Sequence, residues 1–151
     1  MEVALRPLCE ADFKMVLSGN REECWAGDYP SQGDREAAEL GMVAPFNEPP
    51  WCHYQIAIGA SGLVVGQAGF HGPPTNEEVE IGYGVVPSAR DRGIATAAVA
   101  ALLEIALARV EVRQVKARVE ASNVASQRVL DRCGFGVERR RGSRLFYVRG
   151  R

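Results

Sequence analysis

The chain has 151 residues, of which 46% are hydrophobic and 25% charged, a composition typical of one soluble globular domain. The 18 basic and 19 acidic residues nearly cancel, which argues against a dedicated nucleic-acid-binding protein. Only Lys14 and Lys116 are lysines, and arginines are crowded near the C-terminus. Arginine favours planar anions such as phosphate and carboxylate.

The cysteine pattern and the apolar stretches predict the compartment. The four cysteines form no CxxC pair and have no histidine at zinc-site spacing, so we expect free thiols and no metal. The N-terminus lacks the pattern of a signal peptide, and the longest apolar stretch, 94–110, is interrupted by polar residues. These features predict a cytoplasmic protein without a membrane segment.

The first part of the chain predicts a strand and two helical stretches. Alternation predicts a strand over 3–6, and the apolar spacing between 13 and 17 predicts a helix after it. Segment 19–50 is rich in glycine and proline, and only 34–42 has a helical pattern. A connection this long can be a substrate-facing region or lid, and it can equally be a surface loop without chemical function.

Three strands are predicted next. Segments 51–59 and 63–71 are separated by turn residues and predict a hairpin. Segment 78–86 has the clearest alternation, with apolar side chains on one face and two glutamates and two glycines on the other. A carboxylate on this glycine-lined face, such as Glu80, is a candidate for chemistry.

The second half predicts a crossover unit and a final hairpin. An alanine-rich buried helix over 94–109 and a strand over 114–120 make the strands on either side of the helix parallel neighbours. A short capped helix is predicted over 125–133, ending at Gly134, and a hairpin over 135–149 turns around Gly142. The expected fold class is therefore α/β (α+β): one domain over 1–151 with a mixed, mostly antiparallel sheet and one parallel pair in its middle.

The loop before the long helix is the most informative segment. It reads Arg90-Asp91-Arg92-Gly93-Ile94-Ala95-Thr96 and leads from a strand end to a helix N-terminus with small residues at positions of close approach. Exposed N–H groups and the helix dipole favour an anion there, and the two arginines add positive charge. A plain helix start with solvated arginines explains the same residues equally well. The loop is not a P-loop, because no Gly-Lys-Ser/Thr follows.

Three segments together resemble the GNAT superfamily of acetyl-CoA-dependent N-acetyltransferases. The segment 80–87 looks like the fourth strand of that family, and 90–95 fits its pyrophosphate signature of Gln or Arg, two residues, Gly, one residue, and Gly or Ala. The segments 123–130 and 133–135 look like its last helix and closing Gly-Phe. With Leu5-Arg6-Pro7-Leu8 and Ala11-Asp12-Phe13 at the front, the resemblance covers nearly the whole chain. It points to the Rim-type branch, which includes enzymes that acetylate the N-termini of ribosomal proteins. It implies a GNAT-like sheet, flanked by helices, in which the parallel pair of strands splays apart near Val85.

The resemblance also implies that acetyl-CoA is the co-substrate, with no metal. The amides of Val85 and Val86 would then face the thioester and pantetheine, and those from Arg90 to Thr96 the pyrophosphate. Asn123 would contact the pantetheine arm, and Arg128 is a candidate phosphate contact. The expected reaction is direct transfer of acetyl to a primary amine, at a protein or peptide N-terminus or on a small molecule.

The expected base is Glu80, which lies on the strand where some histone-modifying members place the group that accepts the amine proton. Pairing with an arginine or with backbone explains Glu80 nearly as well. Glu77, Glu78 and His71 are alternatives, the histidine because it ends the neighbouring strand and an imidazole exchanges protons near neutral pH.

The residue expected to hydrogen-bond the departing sulfur of CoA is Ser126. Many superfamily members use a tyrosine of the last helix there, but the matching position is Leu130. Ser126 matches a serine of the Rim-type branch, although a serine in a first helical turn often caps the backbone. Tyr83 points away from Glu80 and is interpreted as a core residue.

Two further functions stay open. The missing tyrosine is compatible with a CoA-binding regulatory module that has lost catalysis. The arginine-rich C-terminal hairpin is compatible with a small anion- or RNA-binding domain. The expected partner is a small-molecule or peptide amine, with no nucleic acid and no membrane. Homodimers are common in this superfamily, but no exposed stripe indicates one. The acceptor itself has no readable pattern in the sequence.

Overall fold

Seven strands form one sheet in the part of the chain that the computed structural model describes, residues 2–44 and 47–151. Pro45 and Phe46, in the middle of the predicted glycine- and proline-rich segment, lie outside the described residues, as does Met1. The strands are β1 (Val3–Pro7), β2 (His53–Ile58), β3 (Val64–Phe70), β4 (Glu78–Val85), β5 (Gln114–Glu120), β6 (Gly136–Arg141) and β7 (Arg144–Gly150). The helices are α1 (Glu10–Ser18), α2 (Gln32–Val43), α3 (Ile94–Leu107) and α4 (Val124–Arg132).

The strand order is β1-β2-β3-β4-β5-β7-β6, and only β4 and β5 run parallel. This arrangement confirms the predicted fold class, including the position of the parallel pair in the middle of the sheet. The helix between these two strands, α3, buries residues such as Ala98, Val99 and Leu102 against the sheet. Its small side chains allow the helix to lie close to the strands.

The parallel pair separates before its strands end. The pairing runs from Glu78 opposite Gln114 to Ile81 opposite Ala117. Beyond this point β4 continues to Val85 while it pairs only with β3 on its other side. The edge of β4 that would face β5 is therefore open from Gly82 onward, earlier than the expected position near Val85.

The helix α2 starts earlier than its apolar pattern predicts because of a reciprocal cap. The Ser31 hydroxyl oxygen accepts a hydrogen bond from the Asp34 amide, and the Asp34 carboxylate accepts one from the Ser31 amide. Such a cap satisfies N–H groups that the first helical turn leaves without partners. Farther along α2, Gly41 faces the ring of Phe13, where a Cβ would collide with it, so α1 and α2 pack closely.

The helices within the described ranges include none that is both long and apolar enough to cross a membrane. The four cysteines are free thiols.

The final hairpin turns at Gly142, whose φ is +61°, and the short helix α4 ends at Gly134, whose φ is +83°. Both glycines occupy the turn and helix-end positions that the sequence predicts.

Candidate active site

A cavity of about 740 Å³ lies where β4 leaves β5. Its walls are β2, β3, the open end of β4, the first turn of α2, the loop before α3 and one face of α4. The side chains that face it have two kinds of charge. Three arginines and Asp91 lie at the end formed by α4 and by the loop before α3, and a carboxylate, an amide and two imidazoles lie at the end formed by α2, β2 and β3.

The N-terminus of α3 presents free amides to the cavity. Gly93 precedes the helix with a φ of +78° and provides no side-chain cap. The first helical hydrogen bond runs from the Ala97 amide to the Gly93 carbonyl, so the amides of Ile94, Ala95 and Thr96 have no acceptor within the helix. All three residues line the cavity. Aligned N–H groups and the helix dipole favour an anion at this position.

The arginines around this helix end differ from the predicted set. Arg90 lines the cavity, and its Nε donates to the Val85 carbonyl at 3.1 Å. Arg128 also lines it, whereas Arg92 is exposed and does not. Arg132 lines the cavity as well, although the sequence analysis missed it. The spacing of four residues on α4, which places Arg128 and Arg132 on one face, was the signal that could have found it.

The main chain of β4 faces the opening through alternate residues. The Val86 amide donates to the Val65 carbonyl at 2.9 Å and is therefore directed toward β3. Because amide direction alternates along a strand, the amides of Tyr83 and Val85 are directed away from β3, into the opening. This corrects the expectation for Val86: its amide is already bonded within the sheet, and the residue is buried outside the cavity wall.

Side chains of α4 and β4 meet on one side of the opening. The Asn123 side-chain oxygen accepts from the Ser126 amide at 3.1 Å, which caps α4 and leaves the Asn123 NH2 group for other partners. The Ser126 hydroxyl lies 2.5 Å from the Tyr83 hydroxyl. Burial raises the pKa of Tyr83 to about 12 against the opposing effect of the Ser126 hydrogen bond. Tyr83 packs against the core, but its hydroxyl lies at the cavity wall, a role that its apolar strand pattern did not reveal.

His71 and Glu80 form a charged cluster on the opposite face of β4. One Glu80 carboxylate oxygen lies 3.4 Å from His71 Nδ1 and accepts from Arg118 Nε at 2.6 Å. Burial raises the pKa of the Glu80 carboxyl, but the hydrogen bonds and charges of His71 and Arg118 outweigh it, and the net pKa is lowered. His71 lines the cavity beside Gly82, whereas Glu80 does not line it.

The acidic end of the cavity contains residues that the sequence analysis did not single out. Asp34, in the first turn of α2, is 4% exposed and lines the cavity. Gln67, on β3, is 5% exposed and lines it too, directly opposite Gly84 on β4. His53 lies nearby, and burial and the charge of His71 lower its pKa. No spacing pattern connects these residues in the sequence, because a helix cap and two strand positions bring them together.

The chain has relatives among known proteins. Residues 2–136 match a family model described as an acetyltransferase (GNAT) domain. The uncharacterized N-acetyltransferase YjdG of Bacillus subtilis strain 168 is 38% identical over 73 residues, which are 48% of this chain and 44% of that protein. The match therefore spans less than half of that relative's length.

Solved structures of other proteins share the fold. An acetyltransferase of the GNAT family from Bacillus anthracis superposes with a TM-score of 0.71 at 17% identity, over 99% of this chain and 95% of that chain. The aminoglycoside acetyltransferase AAC(6')-Ib in complex with coenzyme A and kanamycin superposes with a TM-score of 0.71 at 20% identity, over 99% and 95% of the two chains. Each superposition covers nearly the whole of both chains.

Proposed function

The chain belongs to the GNAT family of acetyltransferases, and from this premise we propose that it transfers acetyl from acetyl-CoA to a primary amine by direct attack. The observation that carries the proposal is the opening between β4 and β5 beside an uncapped helix N-terminus. An opened strand edge offers unpaired polar groups to an extended ligand, and the helix end offers amides to its phosphates.

The residues present fit acetyl-CoA as a substrate. We assign its pyrophosphate to the amides of 94–96, with Arg128 and Arg132 contributing positive charge. The free NH2 group of Asn123 and the open amide of Val85 are the groups for the pantetheine arm and the thioester carbonyl. Arg90 also lines the cavity, and because only its Nε is used on the Val85 carbonyl, its terminal NH groups remain for the expected phosphate contact.

We assign the acceptance of the amine proton to His71, with Glu80 as a positioning residue. Imidazole is a stronger base than a carboxylate, and the ion pair with Arg118 weakens Glu80 further. The carboxylate instead lies beside His71 Nδ1, which leaves Nε2 next to Gly82 at the cavity wall. His71 can act directly or through one ordered water.

The groups at the sulfur are Ser126 and Tyr83. When the Tyr83 hydroxyl donates to Ser126 Oγ, the serine proton is free to bond the departing thiolate. Because its pKa is raised, the Tyr83 phenol stays protonated at neutral pH and remains a hydrogen-bond donor. In the full reaction the amine nitrogen bonds the carbonyl carbon and the carbon–sulfur bond breaks. The ammonium form of the acceptor first gives one proton to His71, and the second proton, which the nitrogen loses as the amide forms, goes to the thiolate that Ser126 hydrogen-bonds.

The finer assignments belong to the same proposal. A primary amine on a small molecule is supported by the kanamycin complex of the structural neighbour, and a peptide N-terminus by the segments that resemble the Rim-type branch. Free thiols at all four cysteines support a cytoplasmic location. A homodimer and the Rim-type branch itself are further expectations of the resemblance.

The test of acetyl-CoA binding uses two substitutions at Gly93. Asn and Asp are the residues that best tolerate the left-handed backbone of this position, and a Cβ there would meet no atom within 4 Å. Gly93→Asn adds the same volume as Gly93→Asp but no charge. Calorimetry should show Gly93→Asp binding acetyl-CoA at least about tenfold more weakly than Gly93→Asn, because its carboxylate faces the pyrophosphate.

Two outcomes would change the proposal. No acetyl-CoA binding by folded wild-type protein would remove it. Binding without thiol release in the presence of any tested amine would leave only a CoA-binding regulatory module, the alternative that Leu130 in place of a tyrosine keeps open.

A further inference from the structure

We propose that the acceptor is the N-terminus of a peptide with acidic side chains a few residues along, and that a basic groove on the sheet binds those side chains. The groove measures about 550 Å³ and lies on the face of β5, β7 and β6 that carries Glu80 of β4. Residues that line it include Arg118, Glu120, Arg139, Arg141, Arg144 and Phe146. The inference rests on the proposed function, because it names the acceptor class of the same site.

The basic groove begins beside the proposed proton acceptor. The Glu80 oxygen that lies 3.4 Å from His71 Nδ1 also accepts from Arg118 Nε at 2.6 Å. His71 lines the larger cavity, and Arg118 lines the groove. Strand pairing places Arg118 opposite Phe146 of β7, and Phe146 opposite Arg139 of β6. Because paired residues share a face of the sheet, one row of side chains leads from His71 to Arg139.

The groove has an excess of positive charge. Four arginines and one glutamate line it. Arg144 lies 3.5 Å from the Glu120 carboxylate, and Arg118 is paired with Glu80. In the part of the chain that the structure describes, Arg139 and Arg141 form no ion pair with a carboxylate. A ligand carboxylate would supply the partner that these two guanidinium groups lack.

Phe146 holds one of these guanidinium groups in a fixed plane. The central carbon of the Arg139 guanidinium lies 4.2 Å from the centroid of the Phe146 ring. Stacking uses the flat face of a guanidinium and leaves its N–H edge free, and that edge matches the two oxygens of a carboxylate. Because the side chain is already oriented, it loses less conformational freedom when an anion binds.

The sheet geometry predicts which peptide positions meet the arginines. Three strand spacings separate β4 from β6, which is roughly 14 Å across the sheet. An extended peptide advances about 3.3 Å per residue. With the reacting amine beside His71, the third residue of the peptide therefore lies near β5 and the fifth near β6. Acidic side chains at the third to fifth positions would lie over the groove.

The surroundings of the groove favour an acidic peptide over single-stranded RNA. Proteins that bind single-stranded nucleic acid stack its bases on exposed aromatic rings, but Arg139 already covers one face of the Phe146 ring. Carboxylates also border the groove. Lys116 lies 3.8 Å from the Glu78 carboxylate and 2.7 Å from that of Glu138, so this neighbouring row offers no free cation to a continuous phosphate backbone.

The test compares two amidated hexapeptides, Ser-Ala-Glu-Glu-Glu-Ala and Ser-Ala-Gln-Gln-Gln-Ala, which differ only in charge. Arg139→Gln and Arg141→Gln each remove one charge from the groove. Arg140→Gln, the matched control, removes the same charge from the residue between them, which faces the other side of β6 and bonds the Gly142 carbonyl. Thiol release at saturating acetyl-CoA gives kcat and KM for each peptide with each protein.

Wild-type protein should have a KM roughly tenfold lower for the glutamate peptide, the ratio expected for a few exposed charge pairs acting together. Arg139→Gln and Arg141→Gln should each reduce this preference about two- to fivefold, whereas Arg140→Gln should keep it. All three variants should keep the wild-type kcat and KM for the glutamine peptide, because its side chains carry no charge.

Three results would overturn the inference. They are equal KM values for the two peptides, equal effects of Arg140→Gln and Arg139→Gln, and no thiol release with either peptide by protein that binds acetyl-CoA. Displacement of the glutamate peptide by low concentrations of oligouridylate would likewise overturn it, because the groove would then belong to a nucleic acid. Acetyl-CoA binding and its response to Gly93→Asp are measured separately, so these results leave the proposed function standing.

Discussion

The assignment of the proton acceptor gives the most discriminating kinetic prediction, because two neighbouring side chains compete for the role. An α-ammonium group has a pKa of about 8, an ordinary imidazole about 6.5 and an ordinary glutamate about 4.3. In free solution, moving the proton from such an ammonium to an imidazole is uphill by about 2 kcal/mol, and to a carboxylate by about 5 kcal/mol. The cations beside Glu80 lower its pKa and widen this gap further. A difference of about 3 kcal/mol corresponds to more than 100-fold in the equilibrium population of the transferred proton.

We therefore expect His71→Asn to lower kcat by roughly 10²- to 10⁴-fold, the usual contribution of a general base. Glu80→Gln should lower kcat by less than about tenfold, because it only removes the carboxylate beside Nδ1 and the partner of Arg118. The assay is thiol release at saturating acetyl-CoA with a fixed amine, measured from pH 6 to pH 9 for each variant. The acetyl-CoA affinity of both variants should match the wild type, since neither residue lies at the α3 end.

His53→Asn is the control for the loss of an imidazole from the same cavity. His53 lines the wall but has no carboxylate beside it among the described residues, and its pKa is lowered by burial and by the charge of His71. The His53→Asn variant should lose much less activity than the His71→Asn variant. A larger loss of kcat in Glu80→Gln than in His71→Asn would refute the reasoning and return the role to Glu80. Equal losses of kcat in the two histidine variants would show that His71 is not the specific proton acceptor.

Three other outcomes follow from the structure. Tyr83→Phe should lower kcat about tenfold with unchanged acetyl-CoA affinity, because Ser126 loses the partner that orients its proton, and a loss of affinity instead would contradict this role. Gly66→Ala places a Cβ against the Gly84 carbonyl, so urea unfolding should show a loss of about 1–3 kcal/mol together with weaker acetyl-CoA binding. The Glu80 carboxyl has a lowered pKa in the folded state, so its stabilising effect is present above the ordinary pKa and is lost as pH falls through the folded value. Denaturation across pH 3 to pH 7 should accordingly show Glu80→Gln less stable than wild type near neutrality and similar to it in acid.

Local patterns predicted the elements well because each has its own signal. The alternation of 78–86 and the alanine-rich stretch after Gly93 depend only on the period of a strand or a helix, and both elements are present. The helix α2 extends beyond its apolar pattern because Ser31 and Asp34 cap it, and a cap depends on side-chain hydrogen bonds that periodicity does not record.

The candidate site was only partly predictable, because its residues come from distant segments. The loop before α3 could be identified, since its glycine and its helix lie next to each other in the chain. The direction of the Val86 amide depends on its pairing with Val65 in β3, and a single strand pattern does not contain that pairing. Gln67 and Asp34 line the same cavity only because the tertiary fold brings the start of α2 beside β3. Such contacts follow from the tertiary fold and have no local signature.

Side chains alternate between the two faces of β4, which explains how one short strand can contact two substrates. Tyr83 directs its side chain toward α4 and its amide into the opening, on the side where the resemblance places acetyl-CoA. Gly82 and Gly84 lie on the other face, where the His71 ring lies directly against Gly82 and the space over Gly84, opposite Gln67, is open. Because β5 has already diverged at Ile81, nothing in the sheet separates these two faces beyond that residue. An amine on one face can therefore reach a thioester on the other only across this stretch of β4, which is why we assign the reacting atoms to it.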